Sequence, residues 1–439
     1  MRRKTNFIRT ILVILLMISF FRITSFIDFT SNASLQMDFT AYYTAGKVLL
    51  SGADIYENQI ENSWLLWDGV AVFNHSRFLY PPLTALVFSL FSYFGYSAAK
   101  YFWNVLNFVF VLIALIIMMR AFIKKIKVDE FIIAFTVLLN FFPFIAMLER
   151  GQVDGINLLL ISVAIILTKN RDNFIAGLVL ACATLFKLYI ILIIPFLFLL
   201  KKPKAVYGYL SGLVALILVS AMFTGIDRNI QYVFDEAPRL SQFGESGKDE
   251  MKIPSEALSK YFQLSKFSVS IVEGKMYRTE IISFNSKASF LRIFSVLNEK
   301  LHLDIPLAVV SFILYSGFFF IVFFLTRRKD LSSEINQIFF WITALVVILL
   351  CSNFTWVMNL VWLVPIIILL IVQFDDIRNS PKYYYFLILT GFLIAAMPDN
   401  LLLVKGVPIA EDFFKIKYVL SLIMIFSGCV FWWKRIPAQ

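Results

Sequence analysis

The sequence predicts an all-α membrane protein that crosses the bilayer about twelve times. Hydrophobic residues make up 60% of the 439-residue chain and charged residues only 16%, whereas soluble proteins carry about 25% charged residues. The hydrophobic residues also stand in long blocks, and blocks of about 18 or more are typical of membrane-spanning helices. Composition and block pattern together exclude a soluble enzyme.

The basic residues predict how the chain is threaded through the bilayer. The formal charge is +11, but Lys and Arg lie in short clusters between the hydrophobic blocks, as the positive-inside rule expects. We therefore expect no nucleic-acid partner. The seven clusters are Arg2–Lys4, Lys124–Lys127, Lys169–Arg171, Lys201–Lys204, Arg327–Lys329, Arg378–Lys382 and Lys434–Arg435. If all are cytoplasmic, an even number of spans separates each neighbouring pair, and both termini are cytoplasmic.

Three hydrophobic stretches lie between the first and second basic clusters. Three spans would place the second cluster outside, so only two of these stretches can cross the membrane. The first, about 7–27, follows basic residues without a convincing cleavage site and is interpreted as an uncleaved signal anchor. The second, about 80–94, opens with Tyr80-Pro81-Pro82; at about 1.5 Å per residue it cannot cross a core of ~30 Å. We therefore expect a re-entrant or interfacial helix there. The third, about 98–122, is a full span.

The stretch 174–200 looks like one span but must count as two, because a single crossing would leave the next basic cluster, Lys201–Lys204, outside. We expect two short helices that meet at Lys187 near the outer surface, a break tolerated only where helices line a cavity. The remaining predicted spans are about 131–148, 156–168, 205–226, 305–326, 335–351, 357–373, 383–398 and 415–433. The total is twelve.

This threading predicts a single membrane domain over residues 1–439 with two large outer loops. The first extracytoplasmic loop, 28–97, contains the interfacial helices, and the second covers 227–304. No internal repeat is visible. Polar residues then collect at the outer ends of the spans: Asp28, Asp38, Tyr42, Tyr43, Tyr80, Glu149, Arg150, Gln152, Asp154, Asn157, Lys187, Tyr189, Asn285, Ser352, Asn353, Thr355, Trp356 and Asn359.

Two interpretations of this layer are open. Interfacial side chains commonly extend towards water and form aromatic belts, and Asp38 could simply cap a helix. Ionisable groups at the apolar boundary are costly unless they are paired or hydrated, so Asp38, Arg150 and Lys187 taken together favour a functional site.

The order of the polar motifs resembles glycosyltransferase family 87 of the GT-C superfamily, whose members include polyprenyl-phosphate-mannose-dependent α-mannosyltransferases. The matching residues are Asp38, Tyr42-Tyr43, Ala45-Gly46, Gly52, Tyr56, Tyr80-Pro81-Pro82-Leu83, Trp103-Asn104, Asn107, Gly151-Gln152, Asn157, Ala176-Gly177, Lys187-Leu188-Tyr189, Asn285-Ser286, Ser289, Ser352, Trp356, Trp362 and Pro365. One departure stands out: Met358 and Asn359 occupy positions where members often carry histidines.

The resemblance implies a GT-C-like fold and a transferase acting on the outer face of a bacterial plasma membrane. Its donor would be a sugar on a polyprenyl phosphate, and its acceptor a lipid or glycan in contact with membrane lipids. Asp38 matches the catalytic aspartate of the family's first loop. The missing histidines leave the identities of donor and acceptor open.

The expected reaction is an inverting, single-displacement transfer of a hexose such as mannose. A lipid phosphate is already a good leaving group, so one general base, Asp38, is sufficient, and Arg150 and Lys187 are the candidates to contact phosphate. Candidates to contact sugar or acceptor are Tyr42, Tyr43, Tyr80, Gln152, Asn157, Tyr189, Asn285 and Asn359. No spacing of His, Asp and Glu suggests a metal, and no other cofactor is expected.

The main alternative is a transporter or flippase of a lipid-linked sugar, which would also explain short helices and a buried lysine. Transporters, however, place ionisable residues near the bilayer midplane and often contain internal repeats. A GT-C enzyme with another acceptor and a non-catalytic scaffold are further alternatives, and the scaffold would leave Asp38 and Lys187 without a purpose.

Overall fold

A computed structural model of the chain describes residues 2–32, 37–56, 78–237, 269–272, 275–278, 288–291, 293–294, 297, 301, 306–352, 354–374, 377, 382–398 and 408–437. The first half of the described chain contains helices α1 (Arg2–Asn32), α2 (Met37–Leu50), α3 (Pro82–Ser89), α4 (Tyr96–Phe122), α5 (Val128–Leu139), α6 (Phe142–Arg150), α7 (Asp154–Lys169), α8 (Asn173–Phe186), α9 (Ile194–Leu199), α10 (Pro203–Thr224) and α11 (Ile226–Gln231).

In the second half, an antiparallel pair of short strands comes first, β1 (Val269–Val272) and β2 (Lys275–Arg278), with Val269 opposite Arg278. The helices that follow are α12 (Leu307–Thr326), α13 (Glu334–Cys351), α14 (Val364–Val372), α15 (Tyr383–Ala396) and α16 (Pro408–Arg435). Three 3₁₀ segments, Phe91–Tyr93, Leu188–Ile193 and Val357–Leu363, and one π-helical turn, Tyr232–Glu236, are also present.

Long apolar helices confirm the predicted all-α polytopic class. In the described part of the chain six helices, α1, α4, α10, α12, α13 and α16, are long and apolar enough to cross a membrane, or seven if one bent pair forms a single span. Four further apolar helices are shorter: α8, Leu188–Leu199, Val357–Val372 and α15. The count of twelve spans therefore stays a prediction.

The predicted span 131–148 contains a break that was not expected: the chain forms α5 and α6 there, which are bent by 52° and together are apolar enough for one span. Pro143 stands in the first turn of α6. Proline has no N–H, and its ring collides with the carbonyl four residues earlier, so a helix cannot continue smoothly through it. Asn140, at the break, donates to the Thr136 carbonyl and to Ser19 Oγ, each at 2.8 Å, and so ties the bend to α1.

The predicted break at Lys187 is confirmed. Helix α8 ends at Phe186, Lys187 has extended backbone, and the chain resumes as the 3₁₀ segment Leu188–Ile193. A helix end exposes carbonyls without intrahelical partners. Thr84 Oγ1 of α3 donates to one of them, that of Leu185, at 2.8 Å, so helix α3 supports the break.

The region predicted to form the first outer loop, 28–97, contains short helices in its described part. Helix α3, Pro82–Ser89, has eight residues and spans only about 12 Å. Helix α1 continues to Asn32, past the predicted span end near residue 27. Much of the second predicted loop, 227–304, lies outside the described residues.

The helices pack around two hydrophobic cores. The larger one surrounds α13, which is the most enclosed of the long helices. Close packing of α8 on α10 requires Gly177 and Gly208, because a Cβ at either would meet a backbone carbonyl of the other helix, that of Ala205 or of Phe174. Small residues are typical where membrane helices approach closely.

The second core is an aromatic cluster beneath α2 and α3. Tyr42 of α2 stacks on Phe88 of α3, with ring centroids 4.6 Å apart, and Phe88 meets Trp103 of α4 edge-on at 4.7 Å. Aromatic pairs of this kind add stabilisation beyond the burial of their area. The cluster therefore fixes α2 over the beginning of α4 and so positions the first turn of α2, which carries Asp38.

Candidate active site

The site is built around the sharp turn that joins α6 to α7. Gly151 ends α6 with φ +63°, a left-handed conformation that favours glycine, and a Cβ there would lie 2.8 Å from Phe39 Cβ. Trp103 Nε1 donates to the Gly151 carbonyl at 2.8 Å, and Asn107 Nδ2 donates to the Gln152 carbonyl at 2.7 Å. Helix α4 therefore holds the turn rigidly, and the turn brings Arg150, Gln152 and Asp154 together.

The outer ion pair joins Arg150, the last residue of α6, to Asp38 in the first turn of α2. Arg150 Nη1 lies 3.3 Å from Asp38 Oδ2. The side chains are 19% and 16% exposed, so the pair is partly open to its surroundings. Asp38 thus faces a cation from another helix, although its place in the first turn also suits a carboxylate near a helix N-terminus.

The inner ion pair lies at the helix break. Lys187 Nζ is 3.6 Å from Asp154 Oδ2, and both side chains are buried, with exposures of 7% and 0%. Asn359 Nδ2 donates to the other carboxylate oxygen of Asp154 at 2.7 Å. Buried charges are tolerated when they are paired and hydrogen-bonded, and this carboxylate has both kinds of partner.

Gln152 connects the inner pair to the tyrosines. Its Oε1 accepts from Lys187 Nζ at 3.1 Å and from the Tyr42 hydroxyl at 2.9 Å. The Tyr42 and Tyr80 hydroxyls are 2.7 Å apart, and the Tyr80 ring lies under the Lys187 ammonium, 5.8 Å from its centroid. The structure therefore joins Lys187, Gln152, Tyr42 and Tyr80 in one network.

The two phenols act as neutral groups. Desolvation raises the pKa of Tyr42 well above its ordinary value. The nearby Tyr80 hydroxyl and the carboxylates of Asp38 and Asp154 raise that pKa further. Desolvation also raises the pKa of Tyr80, although the Lys187 charge opposes this. Both hydroxyls therefore stay protonated at neutral pH and can donate hydrogen bonds.

Asn157 and Tyr189 lie just below this network. Asn157 is fully buried one turn after Asp154, and neither its Nδ2 nor its Oδ1 has a hydrogen-bond partner in the described part of the chain. The Tyr189 hydroxyl and Trp362 Nε1 are also buried without a hydrogen-bond partner among the described residues. The centroids of the two rings are 5.4 Å apart. Buried polar atoms of this kind usually bind something, such as water or a substrate hydroxyl.

Tyr43, although predicted as a site residue, makes its contacts away from this network. The Tyr43 hydroxyl donates to the Phe94 carbonyl at 2.8 Å, and the ring packs against Tyr96, which places Tyr43 behind the site. Asn285 lies outside the described residues.

Sequence reasoning placed Asp154 in the outer layer but gave it no role. Asp154 forms the inner ion pair with Lys187. Its position at the start of a helix, directly after a glycine turn, is a sequence feature that could have indicated a role in the site. Lys100 of α4 was also missed. It is fully buried, its Nζ has no hydrogen-bond partner among the described residues, and it lies 5.7 Å from the Tyr96 ring centroid.

The arrangement combines a partly exposed carboxylate and cation with a buried, neutralised pair and neutral donors. Such a set can accept a proton and stabilise an anionic leaving group. Among the described residues no group of three His, Cys, Asp or Glu side chains could hold a metal ion.

Comparison with known proteins is consistent with this chemistry. The model of glycosyltransferase family 87 matches residues 78–353, which is more than half of the chain. That match includes the turn at Gly151 and the break at Lys187, while Asp38 precedes it. None of the curated proteins gives a significant match. The chain belongs to glycosyltransferase family 87 and is a membrane-embedded glycosyltransferase.

Proposed function

We propose that the protein transfers a monosaccharide, a hexose such as mannose, from a polyprenyl-phosphate donor to a hydroxyl of a lipid or glycan acceptor. The observation that carries this proposal is the partly open Asp38–Arg150 pair beside the buried Lys187–Asp154 pair. We propose that the base Asp38 and the cations Arg150 and Lys187 of these two pairs act together on one donor. The proposed location is the extracytoplasmic face of a bacterial plasma membrane.

The proposed reaction is a single displacement. Asp38 accepts the proton of the acceptor hydroxyl while that oxygen forms a bond to the anomeric carbon. The bond from that carbon to the phosphate oxygen breaks, and polyprenyl phosphate leaves with the electron pair. Attack from the face opposite the leaving group inverts the anomeric configuration.

Asp38 is the better candidate for the base because an acceptor can reach it more easily than it can reach Asp154. Asp154 is fully buried, paired with Lys187 and bound by Asn359, so an acceptor cannot reach it without breaking those contacts. Asp38 retains 16% exposure and has a cationic neighbour. A hydrolase acting on a glycosidic bond would need two carboxylates that flank the bond, and this site offers one accessible carboxylate.

Arg150 and Lys187 are proposed to hold the donor phosphate. Arg150 offers a planar fork that suits phosphate oxygens, and Lys187 offers a point charge. When phosphate binds, Arg150 would exchange part of its contact with Asp38 for the ligand, which leaves the carboxylate freer to act as a base.

Neutral groups are proposed to bind sugar or acceptor hydroxyls. Tyr42 already donates a hydrogen bond to Gln152 within the network, and Asn157 and Tyr189 have buried polar atoms that lack partners among the described residues. A sugar hydroxyl both donates and accepts, so it suits the Asn157 amide. Asn359 would act through Asp154, which it holds in place.

The test is transfer of labelled mannose from a short polyprenyl-phosphate donor by the purified full chain in detergent, with a membrane lipid extract as acceptor. We expect labelled product and release of polyprenyl phosphate in equal amounts. Movement of intact donor across vesicle membranes, with no sugar released from phosphate, would instead identify a transporter and overturn the proposal.

A further inference from the structure

A groove lies between α12 and α16, two helices that are apolar enough to cross a membrane. It has a volume of about 680 Å³ and is lined by aromatic and aliphatic side chains together with Ser427 and one cation. The lining residues used below are Phe320, Phe324, Leu325, Phe426, Phe431 and Lys434. Ligand pockets typically have volumes of about 300–1,000 Å³, so the groove is large enough for a lipid chain.

The groove lies at the opposite end of the bundle from the candidate active site. Near its start, α12 contacts α13 through Ser311, whose hydroxyl donates to the carbonyl of Cys351. Ser311 and Phe324 are about 20 Å apart along α12 at a rise of ~1.5 Å per residue. At the groove end, Lys329 donates to the carbonyl of Ile436, so the two basic helix ends meet.

Two cations at this end are available to a ligand. Lys434 Nζ lies 5.9 Å from the Phe431 ring centroid, and the Arg327 guanidinium carbon lies 4.7 Å from that of Phe324. Both side chains are exposed, and neither has a hydrogen bond or ion pair to another described residue. Arg435, by contrast, donates to the Tyr384 hydroxyl.

We propose that this groove binds one acyl chain of an anionic phospholipid, with the headgroup phosphate at Lys434 and Arg327. The charge distribution predicts that this end is cytoplasmic, so the lipid would come from the inner leaflet. Cations beside an apolar groove complement a phospholipid, which joins an anion to a hydrocarbon chain. This site does not depend on the proposed transfer reaction.

The features of the groove favour a lipid over a second copy of the chain. Two copies facing each other across this surface would bring Lys434 and Arg327 against identical cations. Membrane helices also associate through small residues that allow close backbone approach, whereas Phe320, Phe324 and Phe431 are bulky.

Native mass spectrometry of the full chain in detergent, after removal of bound lipid, tests the proposal. The probes are phosphatidylglycerol and phosphatidylcholine with identical acyl chains. We expect one phosphatidylglycerol to be retained at a concentration at least tenfold below that needed for phosphatidylcholine. The double variant Lys434→Gln/Arg327→Gln should lose this preference, by about fivefold for each cation.

The matched control is Lys124→Gln/Lys125→Gln, which removes two exposed cations from another basic turn and should keep the preference. Ser427→Phe fills the groove and should reduce retention of both lipids. Equal retention of the two lipids by the unaltered protein, or an unchanged preference in the Lys434→Gln/Arg327→Gln variant, overturns the proposal. A lipid-independent dimer that the Ser427→Phe change abolishes also overturns it, because a second copy would then occupy the groove.

Discussion

Arg150 and Asp38 form an ion pair, with Nη1 3.3 Å from Oδ2, between the last residue of one helix and the first turn of another. The two residues are 112 positions apart in the sequence. The carboxylate approaches from the interfacial helix α2, and the cation from the rigid turn at Gly151. The pair therefore depends on how α2 lies over α4.

Asp38→Asn should lower the turnover number about 10²–10⁴-fold, because asparagine keeps the shape of the side chain but cannot accept the hydroxyl proton. Sugar transfer by the purified variant measures this. Asp129→Asn is the matched control, since it makes the same chemical change in an exposed ion pair with Arg9. Near-normal transfer by a folded Asp38→Asn protein would refute the base assignment.

Arg150→Lys should raise the KM for the donor about tenfold and change the turnover number less. Lysine keeps the charge but loses the fork that suits phosphate oxygens. Steady-state kinetics with varied donor concentration separates the two constants. Arg9→Lys makes the same change at an exposed pair and should leave both constants alone. An unchanged KM for the donor in Arg150→Lys would contradict the phosphate role.

Lys187→Met should destabilise the protein by about 3–5 kcal/mol, because it leaves the fully buried Asp154 carboxylate without its cation. The double variant Lys187→Met/Asp154→Asn should recover much of that stability, since neither charge remains. It should stay inactive if Lys187 contacts phosphate. Thermal unfolding in detergent and the transfer assay measure the two effects, and an active double variant would limit Lys187 to a structural role.

Tyr42→Phe should lower activity about five- to tenfold through loss of the hydrogen bond to Gln152. Desolvation raises the pKa of Tyr42, so its folded-state pKa lies above that of an unfolded chain and the phenol stays neutral as pH rises through 9. The ratio of wild-type to Tyr42→Phe rates should thus be constant from pH 7 to 9. A ratio that falls with pH would show that the phenol ionises.

Gly151→Ala should destabilise the protein by about 1–3 kcal/mol, because alanine disfavours the φ of +63° and its Cβ would press on Phe39. Transfer should also fall, since the turn positions Arg150 and Gln152. Gly317→Ala is the control: its Cβ would meet nothing within 4 Å, and alanine favours a helix interior. Equal stability of the two variants would show that the turn is not strained.

The sequence predicted much of the local structure because hydropathy, prolines and isolated charges act on the residues next to them. Long hydrophobic blocks are stable in lipid but not in water, so they predicted a membrane protein. Tyr80-Pro81-Pro82 indicated where the next helix begins, and a lysine in the middle of an apolar stretch predicted the break at Lys187. Pro143 indicates a bend for the same kind of reason, and the predicted span 131–148 did not include it.

Only the tertiary structure decided which polar residues meet. Asp154 and Asn359 are 205 positions apart, and no local pattern pairs them. Tyr42 and Tyr43 are adjacent, yet one hydroxyl joins Gln152 while the other binds the Phe94 carbonyl behind the site. Hydropathy and turn chemistry act over a few residues, so the sequence determined where helices form and break. Contacts between charges on different helices depend on how those helices pack, and packing is a property of the whole chain.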